Sequence, residues 1–409
     1  MLPETDRGGQ EAAAVLPAGQ VSRVVGHAYP WDVLGDSSFA GRVADIGVSR
    51  VALAASYHAT RAATPLHPAH RVVDAPEAAL YRPVREAAWA GRALRPVNAP
   101  WVASTDPFAE ATGELERQGI AIDAWVVLAH SSRLGRDRPE LAVRNCFGDS
   151  YPYALCVANE EVRDYSALVA AEAVRELPVS GVSIESCGQL GFAHNGTHEK
   201  TVGAYPPAGE RLLSVCCCAG CRRDWAAAGA GPERVVAGLR EALAVTQNGG
   251  SGPAPTIEML LGADVAGLLL ATRLGNQDRT RTQVLAAVRD SAPAARLTMH
   301  GQPDPWATGP SPAITAAALA DVDTVLVPAW ADNQATRDAI VDARLLAPAG
   351  VSVGAYVTVL PPADPRTVAD HAAALVAAGA DELHLYHLGL ANRAQLDVLG
   401  RIARLAGVH

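Results

Sequence analysis

Short apolar runs rich in Val, Leu and Ile alternate along this chain with longer Ala/Leu/Arg/Glu segments of helical spacing, the pattern of strands that exchange with amphipathic helices. The runs predict strands at RVVGHAY (23–29), RVALAASYH (50–58), AWVVLAH (124–130), GVSIES (181–186), RLTMHG (296–301), TVLVPAW (324–330), VSVGAYVTV (351–359) and ELHLYHL (382–388). Between them lie DSSFAGRVADIG, DPFAEATGELERQG, NEEVRDYSALVAAEAVREL and DPRTVADHAAALVAAGA, several opening on an Asp or Asn able to cap a helix. Eight such units predict an α/β fold of the (β/α)8 TIM-barrel type, closed so that no sheet edge is exposed. An open doubly wound sheet is the alternative, but RVVGHAYPWD lacks the G-x-G-x-x-G turn of a dinucleotide site, so no nucleotide cofactor is indicated.

The longest connection, CGQLGFAHNGTHEKTVGAYPPAGERL, follows strand four and leads into the cysteines. It predicts a long, cysteine-containing insertion there, of the length that is usually functional or disordered. Residues 1–20, rich in Gly, Ala, Pro and Glu, read as a flexible leader, residues 21–409 as one catalytic barrel, and TQNGGSGPAPT (246–256) as a surface loop.

Composition narrows the setting. With 409 residues, 49% of them hydrophobic, the chain can bury a large core without disulfide staples. A net charge of −9 and no Lys/Arg run interleaved with aromatics argue against nucleic acid. Neither a secretory start nor a membrane-length apolar stretch is present, so a cytoplasmic, reducing location is expected. A small-molecule substrate fits best, and homo-oligomerisation stays open.

In a barrel the active site lies at the strand ends, and those ends are polar here: His27, Tyr29, His58, His130, Glu185, His300, Trp330, Tyr356 and Tyr386. Strand faces alternate, so only part of this ring can point into the mouth. Glu185, closing the apolar run GVSIES, is the expected general acid, because desolvation raises a carboxyl pKa toward neutrality. His198 and Glu199 in HNGTHEK add further substrate-binding candidates, and Trp330 and Tyr356 could cover the apolar face of a sugar.

The order NCFGDSYPYALCVANEEVRDY, VSGVSIES, GTHEKT and LLSVCCCAGC resembles a group of glycoside-hydrolase-like barrel proteins distantly similar to clan A glycosidases. The resemblance implies a (β/α)8 barrel with a glycosidase-like reaction, and matches the clan's acid/base glutamate at the end of strand four to Glu185. The clan's nucleophile glutamate ends strand seven, where this chain reads VGAYVTVLPP and offers no carboxylate. Because hydrolysis usually needs two carboxyl groups, about 5 to 9.5 Å apart, Asp304, Asp332 and Glu199 are candidates for the second. Asp304 in HGQPDPW is preferred, and Asp332 in PAWADN doubles as a helix-cap candidate.

Four of the seven cysteines crowd into VCCCAGC. Cys216, Cys218 and Cys221 form C-x-C-x-x-C, three thiolates at zinc-compatible spacing, with Cys146, Cys156, Cys187, His194 or His198 as the fourth ligand. A structural zinc is expected. Three readings follow: a glycosidase-like hydrolase of a small glycoside or carbohydrate-containing metabolite; a metal-dependent lyase, isomerase or hydrolase using the strand-end histidines; and a non-catalytic carbohydrate-binding barrel.

Overall fold

The computed structural model describes residues 21–194, 199–247 and 255–406. The leader at 1–20, His198 and most of the loop at 246–256 therefore lie outside the described residues.

Eight parallel strands form a closed (β/α)8 barrel: β1 (Arg23–Ala28), β2 (Arg50–Tyr57), β3 (Ala121–Val127), β4 (Gly181–Glu185), β5 (Arg296–His300), β6 (Thr324–Pro328), β7 (Ser352–Thr358) and β8 (Glu382–Tyr386). Each pairs with its neighbour in chain order, and β8 pairs with β1 to close the ring. The expected strands are all present. β3 starts earlier than its apolar run because Arg50 Nη1 meets Asp123 Oδ1 at 2.6 Å, which lets a charged residue join the ladder. One face of each strand packs outward under the helices, as Leu383 and Leu385 of β8 do, both fully buried. That apolar layer supplies most of the driving force for closure.

The helix at Pro107–Glu116 is capped as expected, with Asp106 accepting the Ala109 N–H at 3.2 Å. Asn159 also occupies an N-cap, of the helix Glu160–Val174, but its side chain makes no capping bond. It donates instead to the Cys156 carbonyl at 3.2 Å. The helix at Gln334–Leu346 is capped by Asn333, which accepts the Thr336 N–H at 2.9 Å. Asp332 is thus not the cap that its position suggested: Asn333 has the extended backbone an N-cap needs, while Asp332 pairs with Arg337 at 3.0 Å.

Between β4 and β5 the chain makes helices at Pro207–Leu213, Ala219–Ala227, Pro232–Gln247, Ile257–Leu261 and Ala263–Ser291. The long connection after strand four thus turns helical at Pro207 rather than continuing as a loop, as proline at the first helical position favours. The last of these helices, 29 residues long, packs on Glu160–Val174. No helix among the described residues is long and apolar enough to cross a membrane.

A Cβ on Gly181, which opens β4, would lie 2.6 Å from Asp123 Oδ1 and 3.0 Å from the Arg296 carbonyl. Gly181→Ala is therefore expected to lower stability by roughly 1–3 kcal/mol, as overpacking does, read from the denaturation midpoint. An unchanged midpoint would show that the barrel floor can yield.

Candidate active site in the barrel lumen

The inward face of this barrel is polar where barrel interiors usually hold branched aliphatics. At the floor, Arg296 Nη2 donates to Glu382 Oε1 at 3.0 Å, to Thr324 Oγ1 at 2.8 Å and to Ser352 Oγ at 3.1 Å. Burial alone would raise the Glu382 pKa, but the His384 hydrogen bond and the nearby Arg296 and Arg23 outweigh it and bring the carboxyl down to about 2. Above it, Glu382 Oε2 contacts His384 Nε2 at 3.3 Å, His384 Nδ1 contacts His27 Nε2 at 3.4 Å, and His27 Nδ1 contacts the Tyr356 hydroxyl at 3.1 Å.

Glu185 ends β4 and is 6% exposed. Its Oε2 accepts the Trp125 indole N–H at 2.8 Å and lies 3.7 Å from His300 Nδ1. Burial raises the Glu185 pKa to about 7, against the opposing pull of the Trp125 bond. His300 is pushed down to about 3 by burial and shares a 3.1 Å hydrogen bond with Ser183 Oγ through Nε2. The carboxyl thus holds its proton beside a neutral imidazole between about pH 3 and pH 7.

The structure gathers His27, Tyr29, His300, Tyr356 and Tyr386 around this point. His27 packs edge-on to Trp125 at 4.8 Å, Tyr356 lies 5.3 Å from the His300 ring, and Tyr386 lies 5.6 Å from Tyr356. Trp330, 42% exposed, stacks on Tyr386 at 5.5 Å and offers a flat, solvent-facing apolar surface.

His58 and His130 form a second group, their rings 4.3 Å apart, with His194 at 5.0 Å from His130 and stacked on Tyr153 at 4.0 Å. Burial depresses His58 to about 4 and holds His130 well below its usual value. Glu199, on the loop after β4, accepts the Thr201 hydroxyl at 2.7 Å. Asp304 is ion-paired with Arg211 at 2.6 Å and accepts the Trp306 backbone N–H at 2.9 Å.

Several groups of the lumen escaped the sequence reading. Trp125 sits in the middle of an apolar run, where hydropathy treats it as core. Glu382 and His384 lie below a strand end, and only the parity with Tyr386 along ELHLY marks them as inward-facing. Asp32 follows β1 in PWDV; burial raises its pKa to about 8, while its Oδ2 accepts the Tyr29 N–H at 2.8 Å and stands 3.7 Å from His387 Nδ1. An isolated Asp after a strand carries no signal that it will be enclosed.

The sulfur cluster lies apart from this lumen chemistry. Cys156, at the end of the hairpin Ala142–Arg144 and Ser150–Leu155, meets Cys216, Cys218 and Cys221, the four sulfurs all buried and within 4.8 Å of one another. Cys156 Sγ is 3.6 Å from both Cys218 and Cys221, too far for a disulfide. Four thiolates at about 2.3 Å from a tetrahedral ion would stand about 3.8 Å apart, so this donor set can hold a metal. Of the fourth-ligand candidates among the described residues, Cys156 is the one that converges with the other three; His198 lies outside them. Cys217 points elsewhere, its Sγ donating to the Val215 carbonyl at 3.6 Å. Among the described residues this is the only group of three or more His, Cys, Asp or Glu side chains with convergent ligand atoms.

No protein-family model and no curated protein sequence matches the chain. Solved structures do. The PgaB glycoside hydrolase domain from Bordetella bronchiseptica aligns with TM-score 0.57 at 13% identity over 93% of this chain and 98% of that one. The catalytic domain of beta-amylase from Paenibacillus polymyxa aligns with TM-score 0.57 at 10% identity, over 94% and 98%. Alpha-L-fucosidase isoenzyme 2 from Paenibacillus thiaminolyticus aligns with TM-score 0.56 at 13% identity over 93% of this chain, which spans about half (48%) of the fucosidase. At these identities the likeness is one of fold: the chain shares the (β/α)8 barrel of these glycoside hydrolases, consistent with the distant clan A resemblance of the sequence.

Cys156→Ser is expected to abolish retention of a bound metal and lower the melting temperature, whereas Cys217→Ser keeps the metal. Elemental analysis of the purified variants decides; equal metal content in all forms would exclude the four-sulfur site.

Proposed function

We propose that the chain is a glycosidase-like hydrolase of a small glycoside or carbohydrate-containing metabolite, with Glu185 as its general acid/base. The observation that carries this reading is a fully enclosed carboxyl at the end of β4 whose pKa stands near 7 and whose oxygen already holds an indole N–H. A carboxyl in that state keeps its proton up to about pH 7 and can donate it to a glycosidic oxygen as the bond breaks. The Trp125 N–H then stabilises the carboxylate that remains, and the same group can take a proton from water in the second half of the reaction. His300, neutral and bonded to Ser183, stands 3.7 Å from the carboxyl without competing for its proton. Trp330 and Tyr386 supply a surface for the apolar face of a sugar. The neighbours' printed names, an amylase, a fucosidase and a glycoside hydrolase domain, support the substrate class.

The four thiols are assigned a structural zinc. All-sulfur, tetrahedral donor sets favour zinc and leave no open position for substrate. The site would pin the hairpin ending at Cys156 to the helix Ala219–Ala227, and reduced thiols suit a cytoplasmic setting.

Glu185→Gln is expected to lower turnover of an unactivated glycoside by roughly 10²–10⁴-fold while leaving the melting temperature intact; full activity in that variant would remove Glu185 from the role. The wild-type rate is expected to fall as pH rises through about 7, where Glu185 loses its proton, and Glu185→Gln lacks that alkaline limb. Because the folded pKa lies above the usual carboxyl value, the same ionisation costs stability. The contribution is fully present below about pH 4.5 and is lost as pH climbs through about 7.

A further inference from the structure

We propose that Tyr356 is the nucleophile of this site, prepared by the buried chain Glu382, His384 and His27. The inference rests on Glu185 being the proton donor and supplies the partner that the sequence leaves missing. β7 carries no carboxylate at its end, where Thr358 closes the strand; Tyr356 lies on the same inward face two positions below. That phenol ring lies 5.3 Å from His300, whose Nδ1 is 3.7 Å from Glu185, so the two groups flank the same histidine. Burial first, and then the nearby Glu185 charge, disfavour the Tyr356 phenolate.

The direction of the chain follows from its anchor. Glu382 is ionised and can only accept, so His384 Nε2 carries its proton toward it at 3.3 Å. With one N–H on each ring, His384 Nδ1 accepts from His27 Nε2 at 3.4 Å, and His27 Nδ1 accepts from the Tyr356 hydroxyl at 3.1 Å. Every member is buried: Tyr356 is 3% exposed, His384 and Glu382 1%, and His27 is fully enclosed. The anchor itself is fixed by Arg296 and Thr324, at 3.0 and 3.2 Å. A hydroxyl oriented by an imidazole that a carboxylate orients directly is the arrangement that activates serine in hydrolases; here a second imidazole, His384, stands between His27 and the carboxylate. Because burial keeps a free phenolate from forming, the phenol proton leaves only as the oxygen attacks.

In the first step the Tyr356 oxygen bonds the anomeric carbon, the glycosidic C–O bond breaks, and the leaving oxygen takes the Glu185 proton. The phenol proton passes to His27 Nδ1. His27 can relay its Nε2 proton to His384, and His384 its own to Glu382, so the positive charge is never left unpaired. In the second step water attacks the same carbon, Glu185 takes its proton, and the departing phenolate regains a proton from His27. Bonds and protons balance with water as the only co-reactant, and tyrosine nucleophiles are known for glycoside cleavage.

The experiment uses the full chain and a panel of glycosides, followed by the 2-deoxy-2-fluoro glycosyl fluoride of whichever sugar it hydrolyses, with the labelled peptide mapped by mass spectrometry. The expected result is a fluorosugar on Tyr356, retained product stereochemistry, and a loss of about 10³-fold or more in turnover for Tyr356→Phe with an unchanged melting temperature. His27→Gln is expected to slow labelling of Tyr356 and lower kcat with little change in KM, which a purely structural role would not produce. A label on a carboxylate, inversion of the product, or Glu185-dependent turnover that survives Tyr356→Phe would overturn the nucleophile assignment alone. Absence of turnover on every glycoside would overturn the hydrolase reading and this inference with it.

Discussion

A polar side chain that a barrel strand turns inward meets no bulk water and must find its partner in the same lumen, or carry the full cost of desolvation. In this protein that requirement organises the interior from floor to mouth. Arg50 answers Asp123, Arg296 answers Glu382, His384 and His27 bridge upward to Tyr356, and Ser183 holds His300. The helices outside close the barrel by apolar burial, but which side chains share the inside is decided by this matching of donors to acceptors.

Two carboxyls in one lumen end up in opposite states for that reason. Glu382 has Arg296 and His384 as partners and is held down to about 2. Glu185 has no cationic partner, only an indole N–H as hydrogen-bond donor, a neutral imidazole 3.7 Å away and neutral tyrosines around it, and burial lifts it to about 7. Environment pushing paired carboxyls apart in pKa is the recurring way in which one site obtains both a proton donor and a fixed negative charge. His27, His300 and His387, depressed by the same burial, serve as oriented neutral rings rather than as charges that switch near neutrality.

The sulfur cluster solves a different problem. The described chain between β4 and β5 includes five helices before it returns to the barrel, and a segment of that length needs a tie to the scaffold. Cys156 comes from a hairpin that precedes β4, the other three sulfurs from the turn and helix that follow it. Even Asn159 gives up its capping bond at Glu160–Val174 to line this cluster, standing 4.0 Å from Cys218 Sγ. The cost of a lost cap is about 1 kcal/mol, small beside what the proposed four-thiolate zinc would contribute to folding.

Local sequence determined the eight strands, their alternation with helices and hence the barrel, because burial of a period-two or period-3.6 apolar face is a property of neighbouring residues. It also marked Glu185 as a strand-end acid and Cys216, Cys218 and Cys221 as a sulfur group, since each lies within one short motif. Only the tertiary structure decided that Trp125 would hold Glu185, that Cys156 would join the sulfurs, and that Asp304 would pair with Arg211. It alone brought Glu382, His384, His27 and Tyr356 into one line, across up to 357 positions of chain. The physical reason is that hydropathy and spacing report which face a residue presents, whereas hydrogen bonding and desolvation depend on what the opposite wall of the barrel presents back.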